Sequence, residues 1–259
     1  MKKRIIIIFL IIILLFALKV YLNNFYQIPV LMYHSINQGS EESRLVVSPE
    51  SFQRQMYFLK KNNYNILSLD EYVDFLKEKK PLKHKSAVIT FDDGFADNYT
   101  QAFPILKKYS IPATIFVVTE WVGNKKDMLN WEQVEILSDS KLIDIGSHTI
   151  THCLLPDAKN SQVIREIRES KNILDSRLKK ETKFFCYPCG FLNSYIKETA
   201  RLAGFKGACA THPGFEFDLN DEFAIRRIRI SRTADNLIVF WAQVSGFYTL
   251  FKDRRINNK

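Results

Sequence analysis

Cysteine is scarce in this chain: four residues, Cys153, Cys186, Cys189 and Cys209, among 259. That is too few for a disulfide scaffold at this length, so the fold must rest on a buried apolar core, and the chain is long enough for one of good size. Histidine is scarce too, with five residues. No zinc-finger spacing, helix-turn-helix pattern or aromatic-plus-basic RNA motif is present, so nothing in the pattern supports nucleic acid as a partner. There is no linker, low-complexity block or internal repeat beyond the N-terminal region. The balance of 37 basic against 28 acidic residues, a net charge of +9, then reads as a solvated surface with a basic bias, suited to an anionic envelope or membrane face.

What is present begins at the N-terminus. The basic tip "MKKR" precedes fourteen uninterrupted apolar residues, Ile5 to Leu18. Fourteen fit a signal-peptide core better than a full span, yet no small-x-small cleavage site follows. Lys19 could snorkel and let the span reach Leu22. An uncleaved signal anchor is favoured over a cleaved, secreted form. Either way the positive-inside rule puts the basic end in the cytoplasm and the remaining domain outside the cell membrane. Residues 1–26 then form the tip and a single transmembrane helix, and 27–259 the extracytoplasmic domain.

Short apolar runs ending in polar residues recur through that domain. "IPVLMY" ends at His34, "SAVITF" at Asp92 and Asp93, "ATIFVV" at Thr119, "LIDIGS" at His148 and "KFFCY" at Pro188 and Cys189. These runs read as buried strands. Helical patterns lie between them. Ser48-Pro49-Glu50 opens one, with Phe52, Met56 and Leu59 as its stripe, and Ser68 to Glu71 forms a capping box. Residues 160–180 carry Val163, Ile164, Ile167, Ile173 and Leu174 on one side, and Asn193 to Ala203 ends at Gly204. Strands alternating with helices predict parallel βα units, in which chemistry gathers at the C-terminal strand ends.

Those ends hold an unusual set. In "TFDDGF" two adjacent carboxylates repel unless a positive group sits beside them, and Gly94 permits a sharp turn; an ordinary turn cap would look the same. "SHTITH" places His148 and His152 four apart, so one helical turn or a tight loop puts both imidazoles on one side. Two His and one carboxylate form a catalytic metal-site pattern. "CYPC", with Cys186 and Cys189, instead carries a thioredoxin-like Cys-x-x-Cys signature. A redox role would need a low-pKa thiol at a helix N-terminus, and the next helical pattern starts only near Asn193.

"TFDDG", "SHTITH" and the later Tyr-Pro-x-Gly element together resemble the polysaccharide deacetylases of carbohydrate esterase family 4, which share the NodB homology domain. The resemblance runs from about Pro29 to Ile230. It implies a distorted (β/α) barrel and metal-dependent removal of acetyl groups from polysaccharides. It assigns Asp92 as general base and Asp93, His148 and His152 as ligands of a divalent metal, with zinc foremost among cobalt, nickel and iron. The Phe-x-Tyr-Pro-x-Gly loop, with Tyr187 and Pro188, would line the pocket, and the Cys189 N–H would hold the oxyanion. "YHS" would aim His34 at the site, and "IRRIRIS" matches a family strand through Arg227, which would bind substrate, with Arg229 as the alternate. The late Leu-x-x-His of many members is missing. His34 is therefore the first candidate for the general acid, and His212, which would line the pocket, the second. An Asp-plus-Trp element is not evident either. The Tyr-His start, the Phe-x-Tyr-Pro-x-Gly loop and the Arg-Ile strand look most like deacetylases of poly-β-1,6-N-acetylglucosamine. Peptidoglycan deacetylation is the alternative, and a non-catalytic glycan-binding protein a further one.

Overall fold

The computed structural model describes residues 26–39, 45–78, 85–211, 218 and 220–248, together with Phe9, Ile13 and Leu14. The expected N-terminal span otherwise lies outside the described residues, as does His212. Among the described residues no helix is long and apolar enough to cross a membrane.

Eight strands form one sheet in which every pairing is parallel. Its path runs β10 (Ile228–Arg229), β1 (Val30–Tyr33), β5 (Ser86–Phe91), β6 (Ala113–Val117), β7 (Ile143–Ser147), β8 (Phe184–Cys186) and β9 (Gly207–Cys209). β4 (Asn65–Leu67) pairs with the first half of β5, and β2 (Ser35–Ile36) with β3 (Val46–Val47) in a small separate sheet. The central strands are mostly apolar and buried along their whole length, as helix-covered parallel strands must be.

The sheet curls, and one segment spans its two edges. Glu222 and Ile225 exchange backbone hydrogen bonds with Ala208 and Ala210 beyond β9, while three residues later Ile228 and Arg229 pair with Leu31 and Met32 of β1. The alternating pattern predicts the parallel βα units, and the barrel-like curl is what the family resemblance implies, with the gap filled by a nearly strandless stretch.

The helices start where the sequence places their caps. Ser48 accepts from the Ser51 N–H at the head of α1 (Pro49–Lys61), with Pro49 at the first turn. Ser68 and Glu71 exchange reciprocal bonds at α2 (Leu69–Glu78). α3 (Phe103–Tyr109) follows a π turn over Asn98–Ala102, and α4 (Trp131–Asp139) has its own Asn130–Gln133 capping box. α5 (Asn160–Leu178) buries Val163, Ile167 and Leu174 but leaves Ile164 and Ile173 exposed, so the buried stripe is narrower than the five apolar positions suggest. α6 (Ser194–Leu202) is capped by Asn193 and stops at Gly204, whose φ of 88° is left-handed. α7 (Leu237–Val244) closes the described chain.

Candidate active site

The C-terminal ends of β1, β5, β7 and β8 converge on one site. β5 runs straight into Asp92 and Asp93. Asp93 adopts a left-handed φ of 72° and Gly94 one of 75°, which turns the chain and sends the two carboxylates to different neighbours. A Cβ on Gly94 would stand 2.9 Å from the Val117 side chain, so glycine is required there for space as well as for conformation.

Asp93 faces the histidines. Its Oδ1 lies 3.6 Å from His148 Nε2 and 3.5 Å from His152 Nε2. The two imidazoles meet edge to face with centroids 4.8 Å apart. The "SHTITH" stretch is a tight loop rather than a helical turn, and Thr149 and His152 both take left-handed φ values of 68° and 62°. Each such residue costs about 1–3 kcal/mol and persists only where its surroundings hold it. His148 Nδ1 bonds the Cys186 carbonyl at 2.8 Å. That bond fixes the tautomer: Nδ1 carries the proton and Nε2 presents its lone pair towards Asp93. Burial pushes both histidines down, towards the neutral form a ligand needs. Burial also pushes the Asp93 carboxyl up, which marks an anion short of positive charge. Two neutral imidazoles and one carboxylate, with ligand atoms within 4.8 Å of one another, suit a divalent metal such as zinc.

Asp92 faces the barrel interior and meets Arg227. The register puts Ile228 level with Ile89 across Leu31, so Arg227 starts below Asp92 and its side chain climbs the inside of the sheet. Its two terminal nitrogens donate to the two Asp92 oxygens at 2.6 and 2.7 Å. The remaining donors go to Thr90 Oγ1, the Ala210 carbonyl and Cys186 Sγ. Asp92 is 4% exposed and Arg227 2%. Burial alone would raise the Asp92 carboxyl, but the Arg227 charge and hydrogen bonds outweigh it and hold the group below the usual carboxylate range. The expectation of a substrate-facing Arg227 is corrected: this guanidinium is sealed against a carboxylate. Arg229 is exposed on the strand.

Tyr187 is corrected likewise. Its ring is buried against Phe185, and its hydroxyl donates to the Phe223 carbonyl at 2.9 Å, so it braces the loop instead of lining a pocket. Pro188 is buried beside it. Cys189 is exposed and left-handed at φ 56°, and its thiol feels the Asp93 charge. All four cysteines are free, and burial raises the Cys186 thiol well above its ordinary value. A redox cysteine requires the opposite shift.

His34 sits close enough to Asp92 to feel its charge, and burial lowers its pKa. Its Nδ1 is buried without a hydrogen-bond partner among the described residues. Asn98, from the π turn, donates to the His34 carbonyl at 2.8 Å, and Asp97 clamps Ser35 and Ile36 just after it.

Two residues of this site carried no motif signal. Trp121 stacks on His152 with centroids 5.3 Å apart, and Lys125 covers the Trp121 ring. Glu166 of α5 bonds the histidine loop from below. Its position in an amphipathic helix reads as surface charge, and only the fold places it under the loop.

Similarity to known proteins agrees with this geometry. Residues 79–208 match the family model described as polysaccharide deacetylase. YxkH of Bacillus subtilis (strain 168), which carries a provisional polysaccharide deacetylase name, is 34% identical over 79% of this chain and 72% of its own. A poly-β-1,6-N-acetyl-D-glucosamine N-deacetylase of Staphylococcus aureus (strain MSSA476) is 29% identical over 88% of this chain and 79% of its own. Among solved structures, the Streptococcus pyogenes deacetylase PplD in complex with acetate superposes with a TM-score of 0.74 at 30% identity, covering 82% of this chain and 97% of that one. IcaB from Ammonifex degensii gives 0.74 at 26% identity, covering 84% and 97%. This chain belongs to the polysaccharide deacetylase family, hydrolases of non-peptide carbon–nitrogen bonds, on the branch that includes the poly-β-1,6-N-acetyl-D-glucosamine N-deacetylases.

Proposed function

We propose that the protein is a metal-dependent N-deacetylase acting on N-acetylglucosamine residues of an extracellular polysaccharide, with poly-β-1,6-N-acetylglucosamine the favoured substrate. The observation that carries the reading is the split of one carboxylate pair, with Asp93 turned to two neutral imidazoles and Asp92 to a buried arginine. The names of the Staphylococcus aureus relatives support the polymer.

A divalent metal on Asp93, His148 and His152 would supply Lewis-acid polarisation of the acetyl carbonyl and acidify a water. Asp92, kept ionised by Arg227, accepts the proton of the attacking water through a lone pair not taken by the guanidinium. The Cys189 N–H, in its left-handed turn, donates to the oxyanion. His34, neutral at rest beside Asp92, takes up the proton that Asp92 accepts from the water and passes it to the departing amine. Trp121 fixes the His152 ring and walls the site on that side. The apolar run Ile5–Leu18 would tether the enzyme to the membrane, with the domain outside.

The test is acetate release from β-1,6-linked N-acetylglucosamine oligomers and from peptidoglycan, with the protein loaded with zinc or cobalt and then stripped. Metal-dependent release from the β-1,6 oligomers is expected. Release from peptidoglycan alone would overturn the substrate, and no release from either the reaction. Asp92→Asn should lower release by roughly 10²–10⁴-fold, the usual share of a general base, while glycan binding persists.

A further inference from the structure

The histidine loop is held from two sides. From the sheet side, His148 N–H donates to the Val117 carbonyl, and the Thr149 and Ile150 carbonyls accept from Thr119 and Glu120. From the helix side, the Glu166 carboxylate of α5 accepts from the Ile150 N–H at 2.8 Å and the Thr151 N–H at 2.9 Å through one oxygen, and from the Thr151 hydroxyl at 2.8 Å through the other. Glu166 is 3% exposed. A buried carboxylate satisfied by three donors, all within two consecutive residues of one loop, is tied to that loop and to little else.

Those two residues are two of the three that lie between the two histidines. Thr149 before them and His152 after them are both left-handed, a conformation that the β-branched Thr149 in particular resists. The conformation aims His152 Nε2 back at Asp93, and a loop left to itself would not hold it. Ser170, one helical turn further along α5, shares a 2.7 Å hydroxyl bond with Ser147 at the end of β7. The helix that carries Glu166 is thus pinned to the strand that leads into His148.

We propose that Glu166 is a positioning residue for the metal site: its carboxylate imposes the backbone of Thr149–His152 that brings His152 to Asp93, without touching metal or substrate itself. The inference rests on the metal-site reading above. It assigns to α5 a part in metal affinity that no motif residue supplies.

The experiment compares the full chain with Glu166→Ala and Glu166→Gln, titrating each metal-stripped protein with Co(II) and Zn(II) and recording the Co(II) visible spectrum. Glu166→Ala should bind both metals about 10–100-fold more weakly, the usual effect of removing a group that orients ligands, with an altered Co(II) spectrum. Glu166→Gln keeps an acceptor for the two N–H groups and should recover most of the affinity. Hydrogen exchange at the Ile150 and Thr151 amides of the metal-free protein should speed up in the alanine variant and stay near native in the glutamine variant. A role limited to stability would shift the unfolding midpoint and leave the affinity of the folded protein unchanged. Affinities within twofold of native in both folded variants would overturn the proposal. If the native chain itself binds neither metal, the metal-site reading falls, and the proposal with it.

Discussion

Replacing Arg227 tests the electrostatics of the site most directly. Arg227→Met keeps the length and apolar stem and deletes the charge. It leaves Asp92, 4% exposed, with no cation against it. Breaking a buried pair from one side costs about 3–5 kcal/mol, because the remaining charge stays desolvated. Against a total stability of about 5–15 kcal/mol this is severe. At about 2–4 °C per kcal/mol for a domain of this size, the melting temperature should drop by about 6–20 °C. The double variant Asp92→Asn/Arg227→Met removes both charges and should recover most of the loss. The pH dependence is diagnostic. In the native protein the folded Asp92 carboxyl lies below its unfolded value, so its stabilisation is present above the unfolded value, near pH 4, and is lost only as the pH falls through the lower folded one. In Arg227→Met burial acts unopposed and raises the carboxyl. The folded variant then binds a proton that the unfolded chain does not, and its stability falls as the pH rises. Urea denaturation of metal-stripped proteins at pH 5 and pH 8 should therefore show the larger deficit at pH 8. A variant within about 1 kcal/mol of native at pH 8, or a deficit that is the same at both pH values, would refute this account.

Further expectations concern the thiols, His34 and the pocket loop. Native protein treated with a thiol reagent at pH 8 should react quickly at Cys189 and more slowly at Cys153, with Cys186 and Cys209 (pushed up to about 12 by burial) reacting only on unfolding; rapid loss of Cys186 would contradict its placement. Burial keeps His34 neutral in the folded state, so the stability it contributes is present above about pH 6.5 and is lost as the pH falls below that value. Glutamine cannot take up that proton, so between pH 7.5 and 5.5 His34→Gln should lose less stability than native protein, and parallel losses would argue against the assignment. Gly190→Ala puts a Cβ 2.4 Å from the Thr211 backbone nitrogen at a φ of 76°. The left-handed penalty alone is about 1–2 kcal/mol, so acetate release should fall together with the melting temperature, and an unaffected rate would mean the Tyr-Pro-x-Gly loop is not part of the site.

The elements legible in the sequence share one property: their signals are local. The caps at Ser48, Ser68 and Asn193 act within three residues, and each strand before a polar residue is an apolar run read in place. The Asp93–His148–His152 cluster was legible because strand ends in a parallel sheet converge whatever the intervening helices do. What escaped depends on distance or brevity. β9 and β10 have three and two residues, too short for any period to show. Arg227 in "IRRIRIS" looks like an arginine on an edge strand, and only contact with a residue 135 positions away makes it a buried partner. Tyr187 pointed the other way because alternation along a strand depends on a register that the motif alone does not supply. Glu166 was hidden by its own helix, where a charged residue beside Val163 and Ile167 reads as solvated.

The stretch from Glu222 to Ile230, which spans the two edges of the sheet, also sets an order of assembly. Every candidate metal donor has been made by His152, and the pocket loop by Gly190. The counter-charge of Asp92 arrives only with residue 227, on the segment that seals the ring. A growing or truncated chain that stops earlier carries the Asp-Asp, histidine and Tyr-Pro-x-Gly motifs around an open interior with an uncompensated carboxylate. Under the proposed mechanism, closing the ring and ionising the base then come together in one step.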